Sequence, residues 1–311
     1  MNKMLVDINK MEFVDGKFQG ELCEISELND PHLAKVEAKV NFEGLQAYEN
    51  LIEQYSCDGL FVIFNDGDDE KLQKILSKER YKELNLICGL NHEVLIDQAR
   101  VCNSFSYLSS LFIGDRIAFD LNKCLLDIKY LTLSDLVNNP LPTDITLFPH
   151  LEGILLKQYK GNFSDLAHWN LKTLFLENTK IKSLAGLEKI ESIETLLILG
   201  GRKNMDLSAL SHMPNLKNLR FEGSVNQDWS PLPKTLEILS IEKVKNIDFL
   251  DILPNLKCIE IGDNAAHPKD DAYVVGDLLR LGDPFRTILG PVYWEDICET
   301  DEIPPESRLQ R

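Results

Sequence analysis

The sequence is short of positive charge: 33 lysines and arginines stand against 50 aspartates and glutamates, for a net charge of −17. A chain of that sign repels phosphate backbones and anionic lipid headgroups. Neither nucleic acid nor a membrane is therefore an expected partner, whereas a basic protein would be drawn in by the long-range field. No stretch approaches the roughly 18 uncharged apolar residues of a membrane-crossing helix. The opening residues, Met1 to Lys10, carry Asp7 inside their brief apolar run, unlike a secretory leader. The seven cysteines, Cys23, Cys57, Cys88, Cys102, Cys124, Cys258 and Cys298, include no C-x-x-C pair. Their odd number and scatter fit reduced thiols, and the expected compartment is the cytoplasm.

Catalytic motifs are missing too. The six histidines, His32, His92, His150, His168, His212 and His267, form no H-E-x-x-H and no close cluster with cysteine, so neither a metal nor a cofactor is expected. Gly200-Gly201-Arg202-Lys203 lacks the spacing that aims backbone amides at phosphates and reads as a bend. Asp66-Gly67-Asp68-Asp69-Glu70 puts Ser77 where a calcium loop requires glutamate, and reads instead as a helix start with acids beside its positive end. No catalytic residue is assigned. An enzyme built on this chain would keep its active groups in the non-repeat ends, around Trp294-Glu295-Asp296.

What the sequence does have is repetition. Leu151-Glu-Gly-Ile-Leu-Leu156, Leu171-Lys-Thr-Leu-Phe-Leu176, Ile193-Glu-Thr-Leu-Leu-Ile198, Leu216-Lys-Asn-Leu-Arg-Phe221, Leu236-Glu-Ile-Leu-Ser-Ile241 and Leu256-Lys-Cys-Ile-Glu-Ile261 share the form Φ-x-x-Φ-x-Φ, with Φ apolar. Their starts step by 20, 22, 23, 20 and 20 residues. Looser copies begin at Cys57, Tyr81, Leu108 and Ile128, with longer steps that leave room for helices over Asp69 to Lys78 and His92 to Arg100. The later spacings leave room only for a turn or a 3₁₀ piece on the returning limb.

The phrases, with returning limbs such as Ile181-Lys-Ser-Leu184 and Met205-Asp-Leu207, resemble the 22-residue internalin-like and phosphatase-regulator-like leucine-rich repeats. The resemblance implies an α/β leucine-rich-repeat solenoid, a curved parallel sheet of about ten coils. The expected organisation is an N-terminal cap over residues 1–56, repeats over 57–262, and a C-terminal cap and tail over 263–311. In the cap, Met11 to Gln19 reads as a hairpin about Asp15-Gly16, and Phe42 to Tyr55 as an amphipathic helix. Tyr273 to Leu281 reads as a short covering element. The chain departs from the family at position nine, where the family's asparagine is replaced by Arg116, Leu136, Tyr159, Thr179, Gly201, Ser224 and Val244.

Strand alternation sends positions three, five and seven outward. Phe112, Tyr130, Leu155, Phe175, Leu197 and Leu199 are therefore expected as one apolar patch on the concave sheet face, with Glu177, Glu222, Glu242 and Glu260 as an acidic flank broken by Arg220. An exposed apolar patch rimmed by charge is a protein-contact surface. The alternative is that another part of the chain folds over it. The reading is a non-enzymatic scaffold that grips a basic protein, with an intracellular inhibitor or immunity-type neutraliser as its narrower form.

Overall fold

An apolar edge with a period near 20 residues can leave water only by lying on the same edge of the next coil. The computed structural model describes residues 59–261 except 78–80, 89, 106, 179, 201–203, 223–226 and 242–247, together with the strand segments 4–5, 12–14, 17–19, 23–24 and 37–41. The chain divides into two compact units, Met1–His150 and Leu151–Arg311. Each is taken by itself.

In the first unit the parallel strands β1 (Glu37–Asn41), β2 (Gly59–Phe64), β3 (Glu83–Cys88), β4 (Ser110–Ile113) and β5 (Tyr130–Leu133) pair in chain order. Position four stacks on position four: Leu60 lies beside Leu84, Leu84 beside Leu111, and Leu111 beside Leu131. Strand β1 falls in the stretch read as a cap, so the parallel ladder begins before the first recognisable phrase. Glu12–Val14 and Lys17–Gln19 pair antiparallel with Phe13 opposite Phe18, as the Asp-Gly signal foretells. The amphipathic stretch Phe42 to Tyr55 lies outside the described residues, as do Tyr273 to Leu281 and the tail.

Helix α1 spans Asp69–Leu76, as its apolar spacing foretells. The helix expected over His92 to Arg100 is not what forms there. Val94–Leu95 is instead a short strand parallel to Ile117–Ala118, followed by the one-turn helix α2 (Gln98–Val101) and a 3₁₀ turn, Cys102–Phe105. Period two wins locally because Val94 and Ile96 are buried while Leu95 between them is 71% exposed.

The second unit repeats the plan with β6 (Gly153–Lys157), β7 (Thr173–Glu177), β8 (Thr195–Leu199), β9 (Asn218–Phe221), β10 (Ile238–Ile241) and β11 (Cys258–Ile261), again parallel and in order. Ile154, Leu174, Leu196, Leu219, Leu239 and Ile259 form one row across the strands. The returning limbs are the 3₁₀ turns Phe163–Leu166, Leu187–Lys189, Ser208–His212 and Asp248–Ile252. Phe163, Leu166, Leu187, Leu210 and Phe249 are buried there, as is Trp229 on the limb after β9, and the Trp229 ring stands edge-on to Phe221 with centroids 5.4 Å apart. One strand and one short limb per coil, stacked in register, make each unit an α/β solenoid array with the period expected of leucine-rich repeats.

Strands β6, β7 and β8 leave their coils through a left-handed bend: φ is 53° at Gln158, 51° at Asn178 and 66° at Gly200. The bend turns the backbone N–H of Gln158 onto the Glu177 carbonyl at 2.7 Å and that of Asn178 onto the Leu199 carbonyl at 2.9 Å. The coil-to-coil bonds that position nine does not supply come from position twelve. Asn139 is buried, accepts from the Phe119 N–H at 2.8 Å and donates to the Ile117 carbonyl at 2.6 Å. Gln227, equally far into its own coil, donates to the Met205 carbonyl at 2.7 Å.

Asp120, Asp144 and Asp206 cap the turns that follow them by accepting the backbone N–H two residues on. All three carboxyls are held below the usual carboxylate range, Asp120 chiefly by Lys123, Asp144 by the Thr146 hydroxyl and Asp206 by the Ser208 N–H. A carboxyl depressed in the folded state adds stability above its unfolded value near ~4, and that stability is lost as pH falls through the folded value. Asp206→Asn keeps the acceptor oxygen but does not titrate. Its melting midpoint should lie below the parent's at pH 7, and the gap should close as pH falls below about 4, read by circular dichroism across a pH series. Asn139→Leu strands a buried N–H and a buried carbonyl, and urea unfolding should show a loss of about 2–4 kcal/mol.

Candidate interaction surface

On an open sheet face the outward positions should be polar or half-exposed, and at positions three and five of β4 and β5 they are, whereas Gly114 and Ser134 at position seven are buried. Ser110, Phe112, Tyr130 and Thr132 are half-buried, while Leu111, Ile113, Leu131 and Leu133 between them are fully buried. The register sets Asn85 beside Phe112 and Phe112 beside Thr132, with Ser110 beside Tyr130 in the next row. Phe112 and Tyr130 thus stand on adjoining strands and face the same way.

The second unit departs from the expectation. Leu155, Phe175 and Leu197 do form one in-register row, but they are 1%, 0% and 0% exposed. The wall expected to lie open is shut at these three residues. The physical reason is visible in their strands: Ile154-Leu155-Leu156, Leu174-Phe175-Leu176 and Leu196-Leu197-Ile198 are unbroken apolar runs, the pattern of strands packed on both faces rather than one. Thr195, Ile238 and Ser240, on the same side, are buried as well. Leu199, at position seven, is half-buried.

Charge survives on the same wall. Lys157 Nζ lies 3.4 Å from Glu177 Oε2 on the neighbouring strand, with 22% and 15% of the two side chains exposed. Arg220 Nη2 lies 3.4 Å from Glu222 Oε1. Glu177 and Glu222 therefore do not form a bare acidic flank, because each faces a cation. Glu242 lies outside the described residues; Glu260 is placed in β11 by its backbone.

A second charged feature escaped the sequence reading although its residues stood in the repeat itself. Position two alternates in sign along the second unit: Glu152, Lys172, Glu194, Lys217, Glu237, Lys257. Lys172 reaches Glu152 at 3.3 Å, Lys217 reaches Glu194 at 2.8 Å, and Lys257 reaches Glu237 at 2.5 Å. The Lys217 ammonium is pushed up chiefly by its hydrogen bond to Glu194. Each pair is solvent-exposed, so water and salt screen it and it adds little to stability. The signal that reveals the ladder is the sign of one repeat position read down the array.

Among the described residues no three or more His, Cys, Asp or Glu side chains gather as a metal site, and no helix is long and apolar enough to cross a membrane. Two cysteines placed among reduced thiols by the sequence reading are instead joined, Cys102 to Cys124, across a 5.8 Å Cα separation. They lie 22 residues apart, about one coil step, and that brings them onto neighbouring limbs.

No protein-family model matches the chain, and no curated protein matches it. Among solved structures it is similar to the crystal structure of an internalin (inlF) from Listeria monocytogenes, at 15% sequence identity and a TM-score of 0.41, covering 79% of this chain and 77% of that one.

Burial sorts the expected contact residues into two groups that mutation can separate. Leu197→Asp places a charge in a closed apolar site and should cost on the order of 4 kcal/mol or more. Phe112→Asp, at a half-exposed site, should cost about 1–2 kcal/mol. Urea midpoints of the two variants measure the difference directly.

Proposed function

We propose that the chain is a non-enzymatic interaction scaffold of the cytoplasm that captures a basic protein, in the manner of an inhibitor or immunity-type neutraliser. The contact surface is the outward face of β4 and β5 in the first unit. The observation that supports this reading is the pairing of Phe112 and Tyr130 there, two aromatic side chains held half out of the core by fully buried neighbours on the same strands. Aromatic anchors with polar residues beside them contribute most of the energy of protein interfaces, and here Ser110, Thr132 and Asn85 supply the polar surround. The net charge of −17 favours a basic partner, steering it in from beyond contact range and making capture weaken with salt. Leu155, Phe175 and Leu197 supply the second unit's packing in this reading, and Glu177, Leu199, Arg220 and Glu222 lie at the accessible part of its wall.

A photo-crosslinking amino acid at Thr132 and, separately, at Leu197 tests the assignment in host lysate. Adducts to one basic protein should form from position 132, fall at high salt, and be absent from position 197. Equal yields from both sites, or adducts indifferent to Phe112→Ala, would move the contact elsewhere.

A further inference from the structure

The pair Cys102–Cys124 joins two consecutive returning limbs of the first unit. Cys102 opens the 3₁₀ turn Cys102–Phe105, directly after α2, and Cys124 closes the turn Leu121–Lys123 as its C-terminal cap. Their Cα atoms are 5.8 Å apart, within the span that a disulfide bridges without backbone movement. The surroundings are rigid: Val101, Phe105, Phe119, Leu121 and Leu126 are buried, and the Phe105 and Phe119 rings pack with centroids 5.6 Å apart. The two residues differ in burial, since Cys124 is 1% exposed whereas Cys102 is half-buried. A third thiol, Cys88, is free and sits apart from them, held between backbone groups of Leu90 and His92.

We propose that Cys102–Cys124 is a thiol-exchange site, a redox-addressable clip between coils that is opened and closed through Cys102 by small-molecule thiols and disulfides of the glutathione class. In the opening direction a glutathione thiolate attacks the sulfur of Cys102, the less buried of the two residues. The Cys102–Cys124 bond breaks, and Cys124 leaves with the electron pair and takes a proton. A second glutathione attacks the mixed disulfide, freeing Cys102 as a thiol and releasing oxidised glutathione. Two electrons pass from two glutathiones to the protein, and closure by oxidised glutathione is the reverse. Attack at Cys124 is disfavoured because no reagent reaches its sulfur. In a reducing compartment the clip stands open, and oxidation closes it. Closure cross-links a loop of about one coil and so restricts the unfolded chain, while the packed limbs already hold the two residues at bonding distance. The inference stands on the geometry of this pair and is independent of what the β4–β5 face binds.

The full chain is equilibrated in glutathione buffers from fully reduced to fully oxidised, quenched in acid, unfolded, alkylated and mapped by mass spectrometry. Cys102 and Cys124 should lose alkylation together in one transition without carrying glutathione, and Cys88 should form no bond to another cysteine of the chain. In the same buffers the first unit's melting midpoint should rise by about 5–10 °C on closure, and Cys102→Ser should abolish the shift. Reduction of the unmodified chain gives the same comparison without a substitution, so a variant that folds poorly leaves the test intact. The proposal is overturned if both cysteines stay alkylated at every ratio, if Cys102 stops at a glutathione mixed disulfide, or if closure leaves the midpoint unmoved.

Discussion

One coil of about 20 residues cannot bury its own apolar edge, and everything else in this molecule follows from that insufficiency. The row Ile154, Leu174, Leu196, Leu219 and Leu239 is the remedy: in register on neighbouring strands, all five side chains are fully buried. Register is enforced because a one-residue slip would turn every buried position to the opposite face. The returning limbs need only close the loop, so short 3₁₀ turns suffice, and sequence there varies as long as an apolar residue reaches the core.

That division explains what could be read from the sequence. The phrase Φ-x-x-Φ-x-Φ is legible because core burial dictates its period, and its outward positions were placed correctly in register. Whether those positions meet water is a different question, one that the repeat does not answer. Leu155, Phe175 and Leu197 are closed over, and the clue was their identity: three large apolar residues where the first unit has Asn85, Phe112 and Thr132. An apolar residue between two apolar residues signals burial on both faces as readily as a docking patch.

Other features were illegible for definite physical reasons. Asn139 and Gln227 supply coil-to-coil hydrogen bonds three positions later than the family pattern has them, so a search at position nine finds nothing. The same demand, a buried backbone group needing a partner, is met from wherever the chain happens to pass. Period two against period 3.6 was misjudged over Val94 to Ile96, where a pair of β-branched residues straddling an exposed leucine makes a strand. Cys102 and Cys124 lacked any motif, yet their separation nearly equals the coil step, and residues one step apart in a stacked array are neighbours in space.

The alternation Glu152, Lys172, Glu194, Lys217, Glu237, Lys257 has a true period of two coils, although the backbone has a period of one. Losing or duplicating a single coil inside the array would set like charges face to face at the junction, whereas losing or duplicating a neighbouring pair would leave every contact between opposite signs. The natural unit of growth for this half of the molecule is accordingly the coil doublet, and its ancestry should be sought in duplicated pairs.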